Sequence, residues 1–439
     1  MQIVKNNSKG FNLLFVIMTA LYYHPIMLER FKIVTYFYFY AIPIFFLALH
    51  VNWTFKFIQR MFSSKSILFT LSFLFITMVA IFSPFLRGTN DLSYFKGPIL
   101  QMIKTMVSNT FLVCFYEHHV DRKPTTLGFL KYFVSANVLY VFGTLILIVT
   151  PPLRQVITAN VHMTELQENL TDQGFYVSRI GWSGYSGFDI TFGCTLSVAI
   201  CSLMIMYYRK QLKTVIFYNI LLTICLIGNM CYGRSGLIVS IICIVILMFG
   251  LMLDKSSKWL IYPIIVILLF VVFTALISYS KEIAAWYHWT FAQLEQYQKT
   301  GNVKTHTVTR LIEMYVIPEP GTLFFGDGWY TEPNTGRYYM HTDVGLLRPI
   351  YFYGIFCTLA GYFMTLGSSV RLVKNVYGLN RTEKWIMYLM LFLILFVFEM
   401  KGEVYYIMFF YLFPVCMLKD VLMEGVMVKI DQQKAYKLI

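Results

Sequence analysis

The sequence predicts an all-α polytopic membrane protein. It reads as a single integral membrane domain over residues 1–439, with about twelve transmembrane helices and a long outer loop containing short amphipathic helices. Two observations predict it. Hydrophobic residues make up 58% of the chain and charged residues 13%, where a soluble domain carries about 45–50% and about 25%. The apolar residues also gather in runs close to the ~20 residues that a helix needs to cross a hydrocarbon layer. Together these exclude a cytosolic enzyme, a disordered protein and a secreted disulfide scaffold. The eight cysteines fall mostly within the apolar runs, with no CxxC or Cys/His ligand spacing. Neither a structural metal nor a disulfide framework is expected.

In chain order the candidate spans run approximately over 11–27, 33–53, 67–86, 97–116, 128–150, 188–207, 215–230, 236–253, 260–280, 344–366, 385–399 and 404–419. Met1–Gly10 leads into the first span with no Ala-x-Ala site behind it, so no cleaved signal is expected. No inverted repeat of the transporter kind is visible. Lys and Arg set the orientation. With the N-terminus inside, twenty fall in inner segments and thirteen in outer ones, five of those in one long loop. Both termini are therefore expected to be cytoplasmic. The formal charge of +14 is read against the membrane rather than as a nucleic-acid footprint.

Two outer segments are long, 151–187 and 281–343. Loops of that length usually carry function. In the second, Ile283, Tyr287, Thr290, Leu294 and Tyr297 recur at helical spacing beside Trp286 and Trp289, which predicts an interfacial amphipathic helix. A further helix is predicted over about 305–317, capped by Thr305 or Thr307 and stopped by Pro318.

The outer segments hold the residues that suit chemistry on an anionic, hydroxylated substrate. Arg234 sits in a tight link between two spans, followed by Ser235 and Gly236 at a helix start. It reads either as an interfacial anchor or as an anion contact, since a guanidinium matches phosphate oxygens bidentately and a helix N-terminus favours an anion. Arg179 opens a Gly/Ser/aromatic stretch whose rings suit a sugar face or, equally, a cover for helix ends. Arg310 lies on the second loop helix, either as a solvated face or as a substrate contact. His341, Asp343 and Arg348 lead from the loop into the tenth span. A carboxylate or imidazole there suits proton abstraction from a sugar hydroxyl; Arg348 suits an anion or snorkelling to headgroups. A carboxylate beside arginines is expected to have a lowered pKa, and Asp343 could instead form a static pair with Arg348. Lys104, Glu399 and Glu403 are expected to pair across the bundle in a structural role, and His118-His119 to be inert.

Together these pieces resemble the O-antigen polymerase (Wzy) family, which shares its membrane architecture with the O-antigen ligases. As topology the resemblance covers essentially the whole chain; its motifs lie within about 179–260 and 305–403. Arg234-Ser-Gly at the head of an apolar span is similar to the Ser-Arg-Gly-type start of the shared core. Arg310 with Gly321 resembles the family's Arg-x10-Gly loop pattern. Leu323-Phe-Phe-Gly-Asp-Gly-Trp-Tyr330 and His341-Thr-Asp-Val-Gly-Leu-Leu-Arg-Pro-Ile-Tyr-Phe-Tyr-Gly354 are similar to its loop exit. Ligases resemble His-Asn/Ser-x9-Gly at that exit; eleven residues before Gly354 stands Asp343, not a histidine, which favours polymerase over ligase.

The resemblance implies metal-independent, cofactor-free glycosyl transfer at the periplasmic face of a bacterial inner membrane. The donor would be a glycan on undecaprenyl pyrophosphate and the acceptor a second lipid-linked repeat unit. Asp343 or His341 would be the base, with Asp343 ahead; Arg179, Arg234, Arg310 and Arg348 would bind pyrophosphate. The partners implied are the bilayer and a polysaccharide chain-length regulator, with no nucleic acid. Two rivals are a ligase transferring polymer to lipid A-core and a lipid-linked oligosaccharide flippase. The latter would be expected to show two related halves and short outer loops.

Overall fold

The structure, a computed structural model, describes residues 9–26, 32–64, 66–121, 124–161, 180–185, 188–253, 266, 291–292, 294–301, 306–333, 335–376 and 378–418. In order these hold α1 (Lys9–Tyr23), α2 (Ile33–Leu49), α3 (Val51–Met61), α4 (Ile67–Leu86), α5 (Phe95–Val120), α6 (Thr126–Val149) and α7 (Pro151–Asn160). A two-residue hairpin follows, β1 (Ile180–Gly181) against β2 (Gly184–Tyr185), antiparallel. Next come α8 (Phe188–Tyr207), α9 (Leu212–Tyr232), α10 (Arg234–Leu253), α11 (His306–Glu313) and α12 (Pro320–Phe325). The chain continues through α13 (Leu347–Tyr353), α14 (Ile355–Asn375), α15 (Arg381–Glu399) and α16 (Tyr405–Cys416). Among the described residues, seven helices are long and apolar enough to cross a membrane: α4, α5, α6, α8, α9, α10 and α14. The chain is a polytopic helical membrane protein.

Local chemistry starts several of these helices. Thr125 caps α6 by accepting from the Gly128 N–H at 3.0 Å. Asn380 and Glu383 form a reciprocal capping box on α15, each bond 2.8 Å, which satisfies two N–H groups that would otherwise be orphaned. Glu383 also pairs with Arg209 after α8. At the centre stands α8, buried from Ile190 to Met206 and enclosed by α6, α9, α10 and α15. Small residues on its neighbours permit that approach: a methyl added at Gly228 of α9 would come within 2.9 Å of Cys194 Sγ. All eight cysteines are buried and free.

Several contacts sort the helix ends. Tyr94, just before α5, meets Tyr405 at the start of α16. Phe188, at the start of α8, packs on Phe398 at the end of α15. These ends share one face of the bundle. At the other, Arg60 in the last turn of α3 donates to the Met417 carbonyl at 3.0 Å, and Arg371 of α14 bonds Ser66 before α4.

Three expectations are corrected. The expected span 33–53 breaks at His50, and α3 leaves α2 at 99°. The expected span 344–366 is two helices: α13 ends at Gly354, whose φ of +85 no helix accommodates, and the span α14 starts at Ile355. The helix expected over 305–317 ends at Glu313, before Pro318 is reached. The expected spans over 67–86 and 188–207 coincide with α4 and α8. The expected span 260–280, apart from Val266, and most of the helix expected through 283–297 lie outside the described residues.

Candidate active site

The chain from α11 to α13 forms a cap over the bundle end that holds Tyr94, Phe188 and Tyr405. Two glycines fasten it to itself. The short helices α12 and α13 end in Gly326 (φ +68) and Gly354 (φ +85), and each glycine lies against the other helix's backbone. A Cβ at Gly354 would stand 2.2 Å from the Phe324 carbonyl oxygen, and one at Gly326 2.4 Å from that of Phe352. Asp327 N–H then donates to the Tyr351 carbonyl at 2.7 Å and Gly328 N–H to that of Phe352 at 3.1 Å. The two stretches that carry the loop-exit resemblance are thus one packed unit.

The turn between α4 and α5 clamps this unit to the bundle. Asp91 accepts the N–H groups of Tyr330 at 2.7 Å, Thr331 at 2.9 Å and Ser93 at 2.8 Å. Thr89 donates to the Gly328 carbonyl at 2.7 Å. Burial works against the Asp91 carboxylate, but the bonds from Ser93, Thr331 and Tyr330 outweigh it and hold its pKa below the ordinary value.

Under the cap lies a buried polar cluster. Glu403 accepts from the hydroxyls of Tyr94 at 2.9 Å and Tyr330 at 3.0 Å. Tyr94, Tyr353 and Tyr405 bond one another through their hydroxyls. Arg348, on α13, lies between the rings of Tyr338 and Tyr330, 3.7 and 4.4 Å from their centroids. Its Nη2 donates to the Tyr330 hydroxyl, and Nη1 stands 4.0 Å from Glu403 Oε2. The Arg348 side chain is 11% exposed. Burial raises the Glu403 pKa, a shift that Arg348 and the tyrosine hydroxyls reduce without cancelling. The expected pairing of Glu399 and Glu403 with Lys104 is not what forms. Glu399 accepts from Tyr362 at 2.8 Å and the Val404 N–H at 2.7 Å, while Lys104 Nζ stands 4.1 Å over the Phe39 ring.

Above this cluster the expected base residues reach the surface, His341 openly and Asp343 with its carboxyl partly shielded from water. Met340 and His341 both hold positive φ, 55 and 51. For residues with a Cβ that conformation costs on the order of 1–3 kcal/mol each and is concentrated at functional sites. His341 Nε2 stands 3.4 Å from Glu332. Asp343 follows two residues on. Loss of hydration raises its pKa above the ordinary aspartate value, and the charges of Arg348 and Lys401 only moderate this. The expectation of a lowered pKa is therefore corrected: its surroundings cost more than the nearby cations return. Arg348 reaches Asp343 through space, its ion pair being with Glu403.

Arg310 is exposed on α11. One turn beyond it, the Met314 carbonyl accepts from Thr342 Oγ1 at 3.0 Å, and Tyr315 donates to the Met400 carbonyl at 2.6 Å. The Arg310 helix therefore ends against the segment that carries His341 and Asp343. Arg234 is the first residue of α10, half-buried, at the same end of the bundle. Gly233 and Gly236 beside it press on Thr191, about one turn into α8 from Phe188. Beneath, Asn229 donates to Ser240 Oγ at 2.7 Å. Arg179 lies outside the described residues. Asp91, Tyr330 and the partnership of Glu403 with Arg348 were not legible as site residues. Their one sequence signal is a tyrosine or an acid at each neighbouring helix end.

No family model, no curated protein and no solved structure matches the chain.

Proposed function

We propose that this chain polymerises undecaprenyl-pyrophosphate-linked oligosaccharide repeat units into O-antigen or a related surface polysaccharide, at the periplasmic face of a bacterial inner membrane. The observation that carries the reading is the Met314–Thr342 contact. It joins the end of the Arg310 helix to the strained His341–Asp343 turn, at the bundle end where α10 presents Arg234.

In this reading Asp343 takes the proton of an acceptor sugar hydroxyl. The oxygen attacks the anomeric carbon of the donor, and the bond from that carbon to the pyrophosphate oxygen breaks. Undecaprenyl pyrophosphate leaves with the bonding pair. Its growing negative charge is met by Arg234 and Arg310, with Arg179 as the third candidate; guanidinium groups suit this because they donate two parallel bonds. Fixed donors aimed at developing charge are commonly the largest catalytic contribution. Arg348, already neutralised by Glu403, has the role of positioning residue beneath Asp343. His341 orients the acceptor.

The test is turnover by purified, reconstituted protein supplied with a defined lipid-linked repeat unit, with and without lipid A-core. A ladder of lipid-linked polymer is expected. Folded protein that binds the substrate yet leaves it monomeric, or transfers it only to lipid A-core, would refute the reading.

A further inference from the structure

The bend at His50 places an amphipathic helix at the end of the bundle away from the cap, and we propose that α3 is an interfacial helix lying on the lipid monolayer there. The inference does not depend on the enzymatic reading.

The bend is built rather than frayed. His50 leaves the helical region at φ −105, ψ 40. Breaking a helix strands carbonyl groups, which is costly at an apolar boundary. Here Thr54 Oγ1 donates to the Leu47 carbonyl at 2.8 Å, and His50 Nδ1 stands 3.0 Å from the Phe46 carbonyl oxygen. The preceding helix, α2, is about 25 Å long from its seventeen residues at ~1.5 Å each. It exposes Ile33, Val34, Phe37, Ile44, Phe45 and Leu49, a surface fit for hydrocarbon. A helix leaving it at 99° runs along the layer's boundary.

The residues of α3 divide by direction as that placement demands. At 100° per residue, Val51, Phe55, Ile58 and the following Phe62 fall on one narrow stripe, and all four are exposed. Asn52, Lys56 and Gln59, also exposed, form a polar stripe about a quarter-turn away. The remaining side is tied to protein. Phe57 is buried, Trp53 bonds Glu117 of α5, Arg60 stands 3.6 Å from Glu117, and the Met61 carbonyl accepts from Thr70 of α4 at 2.8 Å. The exposed apolar stripe follows directly on the exposed apolar surface of α2, so the occupant that suits both is acyl chain and headgroup. Helices with one apolar and one polar face settle in that plane.

The test uses the full chain in liposomes with one nitroxide at a time at Phe55, Ile58 or Phe62, and at Asn52, Lys56 or Gln59. Accessibility to dissolved oxygen and to a water-soluble nickel chelate gives a depth parameter. The expected result is oxygen preference at equal, shallow depth for the first three, switching to nickel preference for the second three. Nickel preference at all six would place the helix in water and overturn the proposal. So would depth rising steadily along the helix, the mark of a segment continuing across the bilayer. Exclusion of both reagents from Phe55 and Ile58 would show a protein partner and equally overturn it.

Discussion

Asp343 and Glu403 are both carboxylates near Arg348, and their surroundings set them different tasks. Glu403 is sealed among tyrosines and is the ion-pair partner of Arg348. Glu403→Leu strands a buried guanidinium, which should cost about 3–5 kcal/mol. The double change Glu403→Leu/Arg348→Met should recover most of it; equal thermal stability of single and double variants in detergent would break the coupling. Asp343 is exposed, and its pKa is raised on folding. A raised carboxyl pKa means that the folded state prefers the protonated form, so the stabilising contribution is complete at low pH and fades as pH rises through the folded value. At neutral pH Asp343→Asn should thus leave thermal stability equal or slightly higher while abolishing polymer. Loss of folded protein would instead mark Asp343 as structural. As a base it must be ionised, so activity should climb with pH through its raised pKa. Lys401→Gln removes a charge that lowers that pKa and should move the acid limb of the profile to higher pH. An unmoved limb would dissociate Asp343 from the titration.

At the level of elements, the cap depends on α12 and α13 ending against each other. Gly354→Ala forces a Cβ into a left-handed backbone and against the Phe324 carbonyl. The expected result is protease cleavage within 306–353 while the bundle helices stay protected; a cap as resistant as the parent would show that the contact is dispensable. Asp91→Ala leaves the part-buried N–H groups of Tyr330 and Thr331 without their acceptor, at about 1–3 kcal/mol. The proposed pyrophosphate-binding arginines belong to this scale too, since α10 and α11 present Arg234 and Arg310 from separate elements. Alanine at either should cost on the order of 2–4 kcal/mol in the transition state, read as kcat/KM, and lysine should rescue only part. Full activity in either alanine variant at normal protein levels would remove that residue from the site.

For the whole molecule the first question is sidedness. Cap, hairpin 180–185 and the α9–α10 link share one end of the bundle, and the proposed reading, following the Lys/Arg bias, puts that end in the periplasm. Arg337 is exposed on the cap, and the native cysteines are all buried. Arg337→Cys should therefore react with an impermeant thiol reagent on intact spheroplasts against a low background. Labelling only after lysis would invert the topology.

Some of this architecture was written into the chain linearly. Apolar length alone marks α4 and α8, because crossing hydrocarbon demands an unbroken run, and run length is a local property. Asp343, Arg310 and Arg234 stood out as candidates for a similar reason: polar residues between spans are conspicuous. What only the tertiary structure decided is which of those groups stay available. Arg348 looks like its fellow arginines in sequence, yet packing gives it a glutamate from 55 residues away and two tyrosine rings. The breaks at His50 and Gly354 were equally hidden, since hydropathy reads straight through them. The partners that hold each bent segment against the bundle are distant in the chain, Glu117 for α3 and Phe324 for Gly354, and burial by remote neighbours leaves no mark on local composition.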